Sequence, residues 1–347
     1  MMIVVRVDAN DKIGAGHFTR CVTLAICLKK SNLDIVFLCR NLGNKLQLIL
    51  YQEGIRYIEL PSSECFDPVQ DADHTCAALK SNLIEPDLVI VDHYMIAREW
   101  ECRVKSVCNR MMVIDDLANR KHECDLLLDQ NYVVDYKLRY DDLVPYYCKK
   151  LLGPHYVLLR DEFRGVHNNN KKTGFSIFVY FGGADIHNET KKVLCALGRM
   201  CLDEISVSVV VGSLNPNVDE LKHICSRYKN YNYYYNISNI SEVMQMADLA
   251  IGAAGTAIWE RCSMSLPSIV ITISDNQQDI AQAVSETEAI IYLGKSEDVS
   301  EYDIKQSIVE VMENKMKLKK MSAAARNLVD GEGVARVSDE VLSMCFA

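Results

Sequence analysis

Two series of short apolar runs, each alternating with stretches of helical periodicity, constrain this chain more than any other feature of it. In the first series the runs are Ile3–Val7, Asp34–Leu38, Arg56–Leu60, Asp87–Val91 and Arg110–Ile114, with helices expected at about 17–30, 42–53, 68–83 and 96–108. The second passes through Ser176–Phe181, Ile205–Val211, Tyr231–Tyr235, Leu249–Ile251, Ser268–Ile273 and Ala289–Leu293, with only helical segments from about Val299 on. Strands that are apolar throughout are buried on both faces, and strands separated by helices pair in parallel. The expectation is an α/β chain of two Rossmann-like, doubly wound domains, 1–165 and 175–347, joined by the polar stretch Arg164–Gly174. Leu126–Leu128 and Tyr156–Leu159 read as further short strands. Ligands of such sheets collect at the carboxyl ends of the strands, so two domains facing each other predict a cleft lined by both edges.

Composition narrows the function classes. Hydrophobic residues at 49% and charged residues at 24% of 347 are enough to fill two cores. A net charge of −9 gives no basic footprint for nucleic acid. No apolar run reaches the roughly 20 residues that span a bilayer, and no signal-peptide pattern opens the chain. The reading is a cytoplasmic protein without stable membrane insertion. Its fourteen cysteines include no C-x-x-C pair, and many lie in apolar runs (Cys21, Cys27, Cys39, Cys195, Cys201), which reads as reduced, mostly buried thiols.

The chemistry is expected at strand ends. Ile13-Gly14-Ala15-Gly16-His17 lies between the first strand and the first helix, where Gly14 and Gly16 permit a tight turn and close backbone approach, and the helix start offers N–H groups to an anion. His17 is then an imidazole at the mouth of the site, or an ordinary polar residue. Arg6 and Asp8 flank this turn, Val91-Asp92-His93-Tyr94 ends a strand, and Asp115-Asp116 ends the next. Asp92 could orient a neighbouring imidazole. In the second half, Gly182-Gly183-Ala184-Asp185 follows a strand, with Asp185 or Asn188 as an N-cap or the glycine backbone against a phosphate. Gly252-Ala253-Ala254-Gly255-Thr256 lets a diphosphate approach the next helix start, and Glu260, one turn on, is placed for a ribose diol or for solvent. Asn276 and Gln277 hold sugar substituents or cap a helix. Asp71-Ala72-Asp73 has the form of a metal-binding D-x-D but sits in a polar stretch and reads as solvated surface, so no metal and no other cofactor is expected.

These motifs resemble the UDP-2,4-diacetamido-2,4,6-trideoxy-β-L-altropyranose hydrolases of pseudaminic acid biosynthesis, which share a glycosyltransferase-B-like (GT-B-like) fold. The resemblance is carried by Arg6-x-Asp8 with Ile13-Gly14-x-Gly16-His17-x-x-Arg20, by Val91 to Tyr94, by Asp115-Asp116, by Leu158-Leu159-Arg160-Asp161-Glu162-Phe163, by Gly182 to Asn188 and by Gly255 to Glu260, across roughly residues 2–295. It implies His17 as catalytic base, Arg160 and Tyr94 at the sugar, and Glu260 on the uridine ribose. Gly182, Gly183, Asp185, Gly255 and Thr256 would hold UDP, and Arg6, Asp8, Gly14, Gly16, Asn276 and Gln277 would line the sugar side. A histidine suits such a base because its ordinary pKa is about 6.5. The implied reaction is hydrolysis of a UDP-sugar, with inversion at the anomeric carbon because water attacks opposite the departing UDP. A UDP-sugar glycosyltransferase of the same fold and a catalytically idle nucleotide-sugar-binding protein are the alternatives.

Overall fold

The computed structural model describes residues 1–9, 16–63, 65–164, 174–200 and 205–346. The chain divides into two compact units: Met1–Asn131, Asp135–Arg160 and the chain from Glu332 on form the first, and Tyr132–Val134 with Asp161–Gly331 the second.

The first unit is built on seven strands: β1 (Met2–Val7), β2 (Asp34–Cys39), β3 (Arg56–Glu59), β4 (Leu88–Asp92), β5 (Arg110–Ile114), β6 (Leu126–Asp129) and β7 (Lys149–Leu152), in the order β3-β2-β1-β4-β5-β6-β7. Every pairing is parallel. Side chains alternate between the two faces of a strand, and both faces are covered here. Ile3, Val5 and Val7 join one apolar cluster with Phe37, Ile90 and Met112, while Val4 joins the opposite one with Val36, Val89 and Trp100. Helix Gly16–Lys29 covers the first of these layers.

The second unit has six strands: β8 (Phe175–Tyr180), β9 (Ile205–Val211), β10 (Tyr231–Tyr235), β11 (Leu249–Gly252), β12 (Ser268–Thr272) and β13 (Ile290–Lys295), ordered β10-β9-β8-β11-β12-β13 and again all parallel. Helices Glu301–Glu313 and Lys315–Leu328 add Ile304, Ile308, Val311 and Met321 to this core.

Two expectations are corrected. Tyr156–Leu159 is not a strand: Gly153, at φ +95°, and Pro154 turn the chain into a short 3₁₀ helix, Pro154–Tyr156, and the edge strand is β7 instead. The last helix, Gly333–Phe346, belongs with the first unit rather than with a domain running 175–347. Val334, Val337 and Val341, on one helical stripe, are buried in the cluster that holds Ile3, Val22 and Leu24. Burying each such side chain contributes about 1.5–3 kcal/mol. Gly333 allows the approach, because a Cβ there would lie 2.3 Å from the Val157 carbonyl oxygen. The linker Arg164–Gly174 lies almost entirely outside the described residues.

Candidate active site

The strand order of the first sheet reverses between β1 and β4, and that of the second between β8 and β11. Loops leaving the two strands at such a point run to opposite sides and open a crevice at the carboxyl edge. In the first unit this point is occupied by Asp92, the last residue of β4, and His17, the second residue of helix Gly16–Lys29.

His17 Nδ1 lies 2.6 Å from Asp92 Oδ1. An ionised carboxylate can only accept, so this contact calls for a hydrogen on Nδ1, which Arg20 Nη2 also approaches at 3.0 Å, and it turns Nε2, across the ring, away from Asp92. Arg20, one helical turn after His17, grips the same carboxylate: its Nε is 2.6 Å from Asp92 Oδ2 and its Nη2 2.6 Å from Oδ1. Its Nη1 reaches Asp116 Oδ2 at 3.1 Å. Tyr94 stands edge-on to His17, ring centroids 4.4 Å apart, and is 41% exposed. Burial opposes ionisation of Asp92, but Arg20 and His17 outweigh it and hold the carboxyl well below the usual carboxylate range. Burial and the neighbouring Asp116 push the Tyr94 phenol up, which keeps it protonated. A fixed anion thus orients an imidazole whose outer nitrogen can take a proton. Arg20 stands in the motif, but its part in the site is missing from the sequence reading. The i,i+3 spacing from His17, which places both side chains on one helix face, is the signal that could have found it.

Other expected residues are engaged elsewhere. Arg6 is fully buried and does not line a sugar site. Its Nη1 and Nη2 donate to Asp8 at 2.5 and 2.9 Å, and its Nε and Nη2 to Asp71 at 3.1 and 2.7 Å. Asp8, 5% exposed, also accepts from the Arg40 backbone at 2.7 Å and faces His93 Nε2 at 3.3 Å. Asp71 is not solvated surface: it is fully buried and accepts from Arg40 Nε at 2.7 Å and Trp100 Nε1 at 2.8 Å as well. Asp73 is exposed and pairs with Arg103. Among the described residues no group of three or more His, Cys, Asp or Glu side chains could hold a metal ion. Gly14 lies outside the described residues; Gly16 opens the helix with free space where a Cβ would be. Arg160 is half-buried at the end of the first unit, two residues after Leu158, whose N–H donates to Gln130 beyond the end of β6.

Of the pair at the end of β5, only Asp116 faces His17's cluster. Asp115 accepts from Tyr140 Oη at 2.9 Å and pairs with Arg120 at 2.8 Å. Beside it, buried His122 places Nδ1 2.6 Å from Glu101. Burial opposes a charge on His122, but the carboxylates of Asp115, at 3.7 Å, and Glu101 outweigh it and push its pKa up to about 9; only the Glu101 contact is a hydrogen bond. A pKa raised on folding stabilises fully below the unfolded value, about 6.5, and the benefit disappears as pH rises through about 9. Chemical unfolding is therefore expected to show about 3 kcal/mol less stability at pH 10 than at pH 6 from this group. His122→Gln should shrink that difference; an unchanged difference would assign it to other groups.

In the second unit the turns after β8 and β11 arise side by side, since Gly252 pairs with Tyr180. Gly182, at φ +91°, and Gly183 have open space where a Cβ would stand. A Cβ on Gly255 would lie 3.7 Å from Gln277 Nε2, so these two expected residues come together. Thr256 is exposed, Glu260 half-buried on helix Ala257–Ser263, and Asn276 exposed with its Oδ1 accepting from Ser274 at 2.6 Å. Asp185 takes the helix-capping part of its two expected parts. It is 3% exposed, and its oxygens accept from the backbone N–H of Glu189 at 2.9 Å and of Thr190 at 3.0 Å. It caps helix Glu189–Gly198 and so supplies the anion that a phosphate would otherwise provide there.

Two Rossmann-like parallel-sheet units give the chain a GT-B-like fold. MurG of Acinetobacter baumannii matches it with a TM-score of 0.73 at 12% identity, over 99% of each chain. Residues 176–340 match the model of the glycosyltransferase family 28 C-terminal domain. The chain is 26% identical over 284 residues to the UDP-2,4-diacetamido-2,4,6-trideoxy-β-L-altropyranose hydrolase of Campylobacter jejuni, covering 81% of this chain and 95% of that protein. It is 22% identical over 343 residues to the spore coat polysaccharide biosynthesis protein SpsG of Bacillus subtilis, covering 97% of each. The resemblance implied by the motifs is thus borne out by a relative of that name. No described helix is long and apolar enough to cross a membrane.

Proposed function

We propose that the protein hydrolyses UDP-2,4-diacetamido-2,4,6-trideoxy-β-L-altropyranose, the substrate in the name of its Campylobacter relative, to UDP and the free diacetamido sugar. His17 Nε2 takes a proton from water as that water bonds to the anomeric carbon. The bond to UDP breaks, its electron pair leaves with the phosphate oxygen, and the configuration inverts. The observation that carries the reading is the 2.6 Å contact between His17 Nδ1 and Asp92, which presents Nε2 as a base at the strand-reversal point. The positive charge that develops on the imidazole lies against an anion already in place. General-base help of this kind is worth about 10²–10⁴ in rate. UDP is a good leaving group, so a separate acid is less needed. In the second unit the backbones at Gly182–Gly183 and Gly255–Thr256, with Glu260, are assigned to UDP. Tyr94 and Arg160 are assigned to the sugar, and Asn276 and Gln277 to polar substituents near the turn.

The match of residues 176–340 to a glycosyltransferase domain favours one second reading, transfer of the sugar to an acceptor. Incubation with a panel of UDP-diacetamido sugars separates the two. Hydrolysis is expected to give UDP and one equivalent of reducing sugar with no acceptor present, the first-formed anomer being inverted by NMR. UDP release that appears only when an acceptor is added would establish transfer instead.

A further inference from the structure

Among the described residues four arginines are buried, and three of them pair with carboxylates: Arg6 with Asp8, Arg20 with Asp92 and Arg40 with Asp71. Arg261 is the fourth, 1% exposed, and none of the ion pairs among the described residues includes it. Its side chain runs beneath the turn after β11. Nε donates to Ser268 Oγ at 3.1 Å, and Nη2 donates to the Ala253 carbonyl at 2.7 Å. Nη1 is buried with no hydrogen-bond partner, 3.1 Å from where a Cβ on Gly252 would stand. Burial pushes this guanidinium down to about 10, against the opposing effect of Cys262 and Glu260, neither of which forms an ion pair with it.

An unpaired buried charge is unfavourable, and an apolar side chain of similar volume would fill the space without that cost. The charge lies under a turn of small residues, Gly252-Ala253-Ala254-Gly255, whose Gly255 has room above it. Carbonyl and N–H of a trans peptide point in opposite directions. Anchoring the Ala253 carbonyl on Arg261 therefore aims the Ala254 N–H away from the guanidinium, as a donor for an oxyanion. Attraction between a buried cation and an anion at the turn is weakly screened by the protein between them.

We propose that Arg261 is a positioning residue for the diphosphate of a nucleoside diphosphate sugar: it fixes the orientation of the 252–256 turn and carries the positive charge that the ligand's phosphates neutralise. This rests on the reading that the turn holds UDP. In the free protein no carboxylate forms an ion pair with the guanidinium; with ligand bound, the phosphates provide a closer counter-ion.

The test is calorimetric titration of UDP and of uridine into the full-length wild type, Arg261→Met, Arg261→Gln and Arg261→Lys. Without ligand, Arg261→Met is expected to melt at or above the wild-type temperature, because a buried unpaired charge has been removed. Both neutral variants should bind UDP about 10- to 100-fold more weakly, the scale of a lost charge-assisted contact, while uridine, which has no phosphate, binds as to wild type. Arg261→Lys should recover most of the loss. A UDP-to-uridine affinity ratio unchanged in either neutral variant that folds would overturn the role of Arg261 and leave the UDP reading standing. Failure of wild type to bind UDP would overturn the UDP reading and this inference with it.

Discussion

His17→Ala is expected to lower turnover of the UDP-sugar by about two to four orders of magnitude while leaving the affinity for UDP within about twofold. The imidazole is the group whose geometry is set most tightly for the proposed proton transfer: Nδ1 is tied to Asp92 at 2.6 Å, and Asp92 is tied by Arg20 at 2.6 Å on both oxygens. Alanine removes the base and leaves every residue assigned to UDP unchanged. Asp92→Asn tests the same arrangement from behind. An amide in that position can donate to Nδ1, which would place the proton on Nε2 and disable it as a base, so a loss of similar order is expected. Single-turnover rates with a UDP titration check both variants. If His17→Ala turns over within threefold of wild type, the base lies elsewhere. If UDP affinity collapses in step with rate, the first unit holds nucleotide as well and the division of roles is wrong.

Asp71→Ala is expected to destabilise the first unit by about 3–5 kcal/mol, the scale of a buried ion pair that loses one partner. Asp71 accepts from Arg6, from Arg40 and from the Trp100 indole, and all four side chains are buried or nearly so. Its removal leaves Arg6 with Asp8 alone and Arg40 with no carboxylate. Burial opposes ionisation of both acids, but the arginines beside Asp71, and His93 with Arg6 beside Asp8, hold them below the usual carboxylate range. Groups depressed in this way stabilise the fold above the ordinary carboxylate pKa, about 4, and the benefit is lost as pH falls below it. Denaturant unfolding of the variant near neutral pH measures the effect directly. A change under about 1 kcal/mol would mean that the network adds shape rather than stability.

Most of the architecture was legible in the amino-acid order. Strands of a parallel sheet are buried on both faces, so Ile3–Val7 or Ile205–Val211 announces itself as an unbroken apolar run. β7 did not, because Lys149-Lys150-Leu151-Leu152 is a short edge strand with half its residues polar. The last helix was legible as a helix, but an apolar stripe states that a face is buried and not against what. At the site, His17, Asp92 and Tyr94 were readable from their places after strands, and they meet. Arg6, Asp8 and Asp71 were misread for one reason: a charged residue near a strand end looks the same whether it faces substrate or another buried charge. Only Trp100 and Arg40, distant in sequence, decide the case for Asp71. Asp185 was read both ways, and the backbone N–H groups of Glu189 and Thr190 take both of its oxygens.

The seat of Gly333–Phe346 over helix Gly16–Lys29 bears on how the polypeptide is made. A ribosome delivers the strands of the first unit first, yet the helix that seals them follows the whole of the second unit. Until Gly333–Phe346 emerges, the apolar cluster that holds Val22 and Leu24 lacks Val334, Val337 and Val341, a sticky interval of the kind that chaperones occupy. The two units cannot mature as independent beads on a string, because the earlier-made one waits for a helix made after the other.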